Sequence, residues 1–309
     1  MLRGIPRDET AGMAVVPGAV FRLGSPPWMA RWLESEPQPL PGAWFADETP
    51  QIEVDVPAFR IDRCPVTVAQ FAEFADATEY VTDAERAGYG MVYGERFWEE
   101  RAGACWRTPG GPGTGVADRA DHPVVHISWN DASAYAWWAG KRLPTEAEWE
   151  LAARGVRYRI WPWGDTWPPG RANTAELHAG RLDALDAWLD WWRDTCREHG
   201  PLPRTTPVGM FSPAGDSVHG CSDMAGNVYE WTATPSQLYA DDAPCDAALR
   251  RVMGRYRVIR GGSWMNFRYQ VRCSERMHGD PGGWSNFALG FRCAASGAGP
   301  GFGRDESGG

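Results

Sequence analysis

Asp223-Met-Ala-Gly-Asn-Val-Tyr-Glu-Trp231 has the pattern of neither a helix nor a strand. Its Gly-Asn pair lets the backbone turn tightly, since both residues tolerate left-handed φ values. A carboxylate stands on each side of that turn. Calcium takes six to eight oxygens, commonly a few carboxylates completed by backbone carbonyls, and this spacing suits it. A surface turn with two solvated acids has the same spacing. In both cases the stretch is loop, and a loop-rich chain needs ions, buried polar networks or tryptophan packing to fix it.

The flanking sequence has the same character. Arg257 to Trp264 is the clearest strand downstream, and Val15–Leu23 and Ile52–Ile61 alternate apolar and polar residues as half-buried strands do. Thr67-x-x-Gln70 is a capping box that places Val68, Phe71 and Phe74 on one apolar face. Ser128 to Asp131 opens a second helix through Trp138, closed by Gly140. Thr145-x-x-Glu148 caps a third, with Trp149 and Leu151 inward and Gly155 at its end. Residues 178–197 form a fourth, amphipathic pattern. Few helices, short strands and long Gly/Pro/Asn-rich loops predict an α+β fold with little regular secondary structure. No linker or repeat interrupts residues 13–295, so one domain is expected, with disordered tails at 1–12 and 296–309.

Hydrophobic residues make up 43% and charged residues 23% of the 309 residues, an ordinary globular balance. The 18 tryptophans are not ordinary, and each buried indole needs a partner for its N–H. Lys141 is the only lysine, arginine serving elsewhere, which fits a GC-rich bacterial genome. Net charge is −9 without a basic block, so nucleic-acid binding is not expected. No apolar run approaches the ~20 residues of a membrane span, and the polar start has no signal-peptide core. A cytoplasmic protein is expected. The seven scattered cysteines, with no C-x-x-C, fit reduced thiols.

Eight segments in order, from Met13 to Cys293, carry a resemblance. They are Met13–Ser25, Trp106–Gly113, Asp121–Ala132, Gly140-Lys-Arg-Leu-Pro-Thr-Glu-Ala-Glu-Trp-Glu150, Pro162–Asp165, Asp223–Trp231, Arg260-Gly-Gly-Ser-Trp264 and Leu289-Gly-Phe-Arg-Cys293. Together they resemble the formylglycine-generating-enzyme, or sulfatase-modifying-factor, family. The resemblance implies that family's variant of the C-type-lectin-like fold. It implies structural calcium held by the Asp223 and Glu230 side chains and the Gly226 and Val228 carbonyls. A second calcium would use Asn173 and the Thr174 carbonyl, in a region that the 178–197 helix interrupts.

In the family's formylglycine generators two cysteines after the Arg-Gly-Gly-Ser strand bind copper(I), which prefers soft thiolates. Counted from Arg260, those positions fall here on Asn266 and Val271. Neither supplies a soft ligand, so copper-dependent formylglycine formation is not expected. Cys273, two residues beyond, could share a face with residue 271 and belong to a shifted redox-metal site beside Ser263 and Asn266. Its alternative is a small buried hydrophobe. His122 and His126 read as structural. His178, His199, His219 and His278 share no metal-ligand spacing, and a redox metal there has no sequence-defined identity. The family geometry would line a groove with Trp264, Arg268, Tyr269, Arg272, Arg276 and Trp284. Clustered arginines hold carboxylates bidentately, which suits a peptide or amino-acid-like partner. Two functions follow: a diverged oxygen-dependent oxidoreductase, or a non-catalytic binding module on the same scaffold.

Overall fold

Proline cannot donate to a strand ladder, so Pro17 and Pro57 each cut an apparently continuous strand in two. The computed structural model describes residues 12–297 except 37–41, 96, 242 and 244. The tails expected at 1–12 and 296–309 therefore lie almost wholly outside the described residues. The first stretch becomes β1 (Met13–Val16) and β2 (Ala19–Leu23). After α1 (Trp28–Ser35), the second becomes β3 (Ile52–Val56) and β4 (Phe59–Asp62). β2 pairs antiparallel with β3, while β4 is the centre of a separate sheet, between β1 and the C-terminal strand Ala294–Ser296. At the break, a Cβ on Gly18 would stand 2.7 Å from the Ala58 nitrogen.

The helices begin where their caps are written. Thr67 and Gln70 form a reciprocal box at the start of α2 (Val68–Thr78). Thr82 and Glu85 do the same for α3 (Asp83–Ala87), which leads into the hairpin β5 (Tyr89–Tyr93) and β6 (Trp98–Ala102). Ser128–Asp131 and Thr145–Glu148 cap α4 (Trp129–Trp138) and α5 (Glu146–Arg154). The helix expected at 178–197 is two: α6 (Ala175–Ala179) and α7 (Leu185–His199). Gly180, at φ 77, ends the first.

The remaining elements are β7 (Tyr229–Pro235), α8 (Ala247–Val252), β8 (Arg257–Arg260), β9 (Met277–Gly279), β10 (Leu289–Gly290) and β11 (Ala294–Ser296). β8 stops four residues short of the expected Trp264, because Gly261 and Gly262 adopt φ values of 92 and 66. The second sheet runs β10-β7-β8-β9, with β10 parallel to β7. Three apolar clusters surround these short strands, and Phe71 packs on Trp106, Tyr135 and Phe291 in one of them. Lys141 pairs its Nζ with Asp62 at 2.6 Å, where α4 meets β4.

Between the clusters lies a buried ionic layer. Glu146 and Glu150 are one turn apart on α5, and both face inward. Arg260, at the end of β8, pairs with Glu150 and, at 3.3 Å, with Glu146. Arg154 shares Glu150 at 2.7 Å, and Arg276 shares Glu146 at 2.7 Å. Arg272 grips Glu48 bidentately at 2.6 and 2.7 Å. Arg260→Met keeps volume but takes one of its two arginine partners from each of two buried carboxylates, which costs about 3–5 kcal/mol. Denaturant unfolding is expected to show that loss. Arg101→Met, which breaks the exposed pair with Glu99, is expected to cost less than about 1 kcal/mol.

Candidate functional site

The two glycines that end β8 fold the chain back through Ser263–Arg276, where the sequence placed its catalytic candidates. Asn266 closes this turn: its Oδ1 accepts from the Ser263 amide at 2.9 Å and from the Ser263 hydroxyl at 2.7 Å. Val271 is fully buried, packed so tightly on Gly262 that a Cβ there would lie 2.5 Å from the Val271 Cγ1. Cys273 is also inaccessible, in the cluster that holds Trp149, Leu151, Cys221 and Met224. Its amide donates to the Ile160 carbonyl at 2.8 Å, and its carbonyl accepts from Arg260 at 2.6 Å. Burial pushes its thiol up to about 12, against thiolate chemistry. All seven cysteines are free thiols.

The expected groove is filled. α7 lays Trp188 and Trp192 over this turn, where the Trp188 indole donates to the Met265 carbonyl at 2.9 Å. The Trp192 indole donates to the Gly94 carbonyl at 2.8 Å, tying α7 to the β5–β6 hairpin. The Trp192 ring stands 5.3 Å from Trp264, which stands 5.3 Å from Phe287. Trp264 is therefore core and not groove wall. Arg272 and Arg276 are corrected in the same way: both point into the ionic layer and have no surface to offer a ligand. Trp284 lies elsewhere, in a cleft of about 480 Å³ with Asp83, Tyr89 and Asn130.

At the loop read first, Asp223 takes φ 56 and Asn227 takes φ 63, so the tight turn forms as its residues require. Asp223 is buried, accepts from the Gly209 amide at 2.7 Å, and has no ion-pair partner among the described residues. Burial pushes its carboxyl up to about 6, and Glu230 adds to the rise. Both Glu230 oxygens are held by Arg292 at 2.7 Å, and the Trp149 indole donates to one of them at 2.8 Å. The fit to calcium is thus partial: Asp223 has no ion-pair partner among the described residues, while Glu230 already has its cation. Gly226 backs so closely onto Asn173 that a Cβ would meet the Asn173 carbonyl oxygen at 2.1 Å.

Asn173 and Thr174 do not fit a second calcium. The Asn173 Oδ1 bonds His178 Nε2 at 2.8 Å, and the Thr174 carbonyl accepts from the Leu177 amide at 3.0 Å. Burial and the Arg204 guanidinium push His178 down to about 4, so its imidazole is neutral. Three other histidines are likewise bonded into the fold. His126 Nε2 bonds the Pro109 carbonyl at 2.8 Å, His122 bonds Thr205 at 2.9 Å, and His278 bridges Ser236 and Asp47. Among the described residues no three His, Cys, Asp or Glu side chains converge as a metal-binding group.

An open cavity does remain beside the turn, about 650 Å³ in volume and lined by Glu36, Trp167, Arg171, Glu176, Arg181 and Arg268. Of the expected groove residues, Arg268 lies on its wall. The Arg268 carbonyl is held by the Trp161 indole at 2.8 Å, and its guanidinium meets Glu176 and the Tyr269 hydroxyl. Tyr269 is buried, and its hydroxyl donates to Glu36 at 3.2 Å. Glu36, Trp167 and Glu176 belong to no motif, and sequence spacing gave no signal for them.

Residues 2–296 match the family described as sulfatase-modifying factor enzyme 1-like domain. The chain belongs to the formylglycine-generating-enzyme family. It is 36% identical over 317 residues to the formylglycine-generating enzyme of Thermomonospora curvata, covering 95% of this chain and 96% of that one. It is equally 36% identical, over 314 residues, to a Bos taurus relative named inactive Cα-formylglycine-generating enzyme 2, covering 94% of this chain and 90% of the relative. Among solved structures, PvdO from Pseudomonas aeruginosa shares the fold at 24% identity and a TM-score of 0.60, over 92% of this chain and 94% of that one. The α+β architecture expected from the sequence is the one observed.

A buried thiol is shielded from reagents until the protein opens. Cys273 is expected to resist iodoacetamide in the native state and to label on unfolding, as read by peptide mass spectrometry. Cys273→Ser buries an unpartnered hydroxyl and is expected to cost about 1–3 kcal/mol of stability.

Proposed function

We propose that this member of the formylglycine-generating-enzyme family does not make formylglycine and works as a ligand-binding module on the family scaffold. The observation that carries the proposal is the occupied turn after β8. Asn266 and Val271 stand where the resemblance puts copper-binding cysteines, and Trp188 and Trp192 of α7 pack on Met265 and Trp264 of the same turn. The nearest thiol in sequence, Cys273, faces away into the core. Burying two indoles stabilises the covered state by several kcal/mol, so this occupant is part of the fold. The Bos taurus relative named inactive shows that family members of this similarity include one so described.

The protein is expected to yield no aldehyde on a Cys-x-Pro-x-Arg peptide supplied with copper(I) and oxygen, as read by mass spectrometry. It is also expected to consume no oxygen with such peptides or with free amino acids. Aldehyde, or turnover-linked oxygen uptake, would overturn the proposal and restore the oxidoreductase.

Calcium belongs to the same proposal, supported by Asp223 alone among the side chains of its loop. A ligand bound only to the native state at a hundred times its Kd stabilises by about 2.7 kcal/mol. Millimolar calcium after chelator treatment is expected to raise Tm. Asp223→Asn suits the left-handed backbone there, and it is expected to abolish the calcium response.

A further inference from the structure

The chain carries a net charge of −9, yet the surface just past the end of α5 collects arginines. Two glycines there, Gly155 and Gly220, take φ 71 and 74 and let side chains pack directly on their backbone. A Cβ on Gly155 would stand 3.6 Å from Arg159 Nη1 and 3.7 Å from His219 Nε2. A Cβ on Gly220, the next residue, would stand 2.6 Å from Arg63 Nη1. Arg63 and Arg159 are fixed by backbone carbonyls, those of Gly220 at 3.0 Å and Arg154 at 2.5 Å. Arg157 and Arg159 flank Tyr158, whose hydroxyl meets Ser274 at 3.0 Å. Arg157 itself is exposed and forms no hydrogen bond or ion pair among the described residues.

None of these three guanidiniums has an ion-pair partner among the described residues. The acids on adjoining segments are bonded elsewhere. Asp165 accepts from the Ile160 amide at 2.9 Å, and Asp216 accepts from the Ser212 and Ser222 hydroxyls at 2.6 and 2.7 Å. Counting both acids still leaves arginine in excess. Arg22 on β2 stands opposite Glu53 on β3 and adds nothing to that excess. At His219 the imbalance is local. Its Nε2 is buried with no hydrogen-bond partner among the described residues. Burial, with Arg159 beside it, holds the imidazole below its ordinary value, and no carboxylate offsets the guanidinium. Guanidiniums from separate segments suit a phosphate group, whose several oxygens accept from several donors at once. The two coplanar oxygens of a carboxylate are used up by the fork of a single arginine.

We propose that the surface formed by Arg63, Arg157, Arg159 and His219 binds the phosphate of a small phosphate-bearing molecule. Arg63 and Arg159 hold it from two sides of the 218–220 loop, and Arg157 adds charge. The site shares no residue with the turn after β8, so its failure leaves the reading of that turn untouched.

The test is calorimetric titration of the full chain with inorganic pyrophosphate at low salt and, in parallel, with citrate. Pyrophosphate is expected to saturate at about millimolar concentration or below and to weaken as salt rises. Citrate, a tricarboxylate, is expected to bind about tenfold more weakly or worse. Arg63→Gln and Arg159→Gln are each expected to weaken pyrophosphate about tenfold. Arg157→Gln is expected to weaken it less and to keep Tm, since that side chain holds nothing in the fold, and it serves as the test where the other two lose stability. Arg86→Gln, at an exposed arginine already paired with Asp83, is expected to leave binding unchanged. No saturation at millimolar pyrophosphate, equal binding of citrate, or wild-type affinity in the folded variants at 63, 157 and 159 would overturn the assignment.

Discussion

The guanidinium–carboxylate layer around Arg260 holds this fold together. Strands of two to seven residues cannot organise 309 residues by their ladders alone. The layer ties α5 to the end of β8, to Cys273–Arg276, and to Asp47 and Glu48 across more than two hundred residues of chain. Buried ion pairs are stable as satisfied sets, because each missing partner leaves a desolvated charge. Four arginines, 154, 260, 272 and 276, face five carboxylates: Asp47, Glu48, Glu146, Glu150 and Glu275. Burial drives Glu275 well above the ordinary carboxylate range, and its Oε2 has no hydrogen-bond partner among the described residues.

The same economy explains the turn after β8. A metal-binding thiol pair must stay open to its substrate, so the surrounding structure has to tolerate an exposed pocket. With Asn266 and Val271 in those positions the constraint is gone. The asparagine closes the turn on Ser263, the valine packs on Gly262, and α7 seals the surface with indoles. A helix of this kind needs only backbone carbonyls at which to aim its indole N–H groups, and Met265 and Gly94 provide them.

What was legible in the sequence was local. Capping boxes at Thr67, Ser128 and Thr145 involve residues three apart, and all three helices start where they were read. The Thr82–Glu85 box carried the same signal and would have given α3 by the same rule. The Asp223–Glu230 loop was legible as a tight turn, because positive φ at Asp223 and Asn227 is a property of single residues. The ionic layer was not legible. Arg272 and Glu48 are 224 residues apart, and no spacing rule reports which distant acid will meet which arginine. For the same reason arginines 272 and 276 looked like a ligand-binding cluster and proved to be structural. The open cavity escaped because Glu36, Trp167 and Glu176 converge from three segments with no shared pattern.

The reliance on arginine also affects how the surface can be modified. Guanidinium groups stay protonated and are poor nucleophiles at physiological pH. Acetyl transfer, ubiquitin conjugation and Schiff-base formation all act on side-chain amines. This chain offers them one, Lys141, and the folded structure keeps its Nζ largely covered and in contact with Asp62. Control by lysine modification would therefore have to break the α4–β4 junction before it could act.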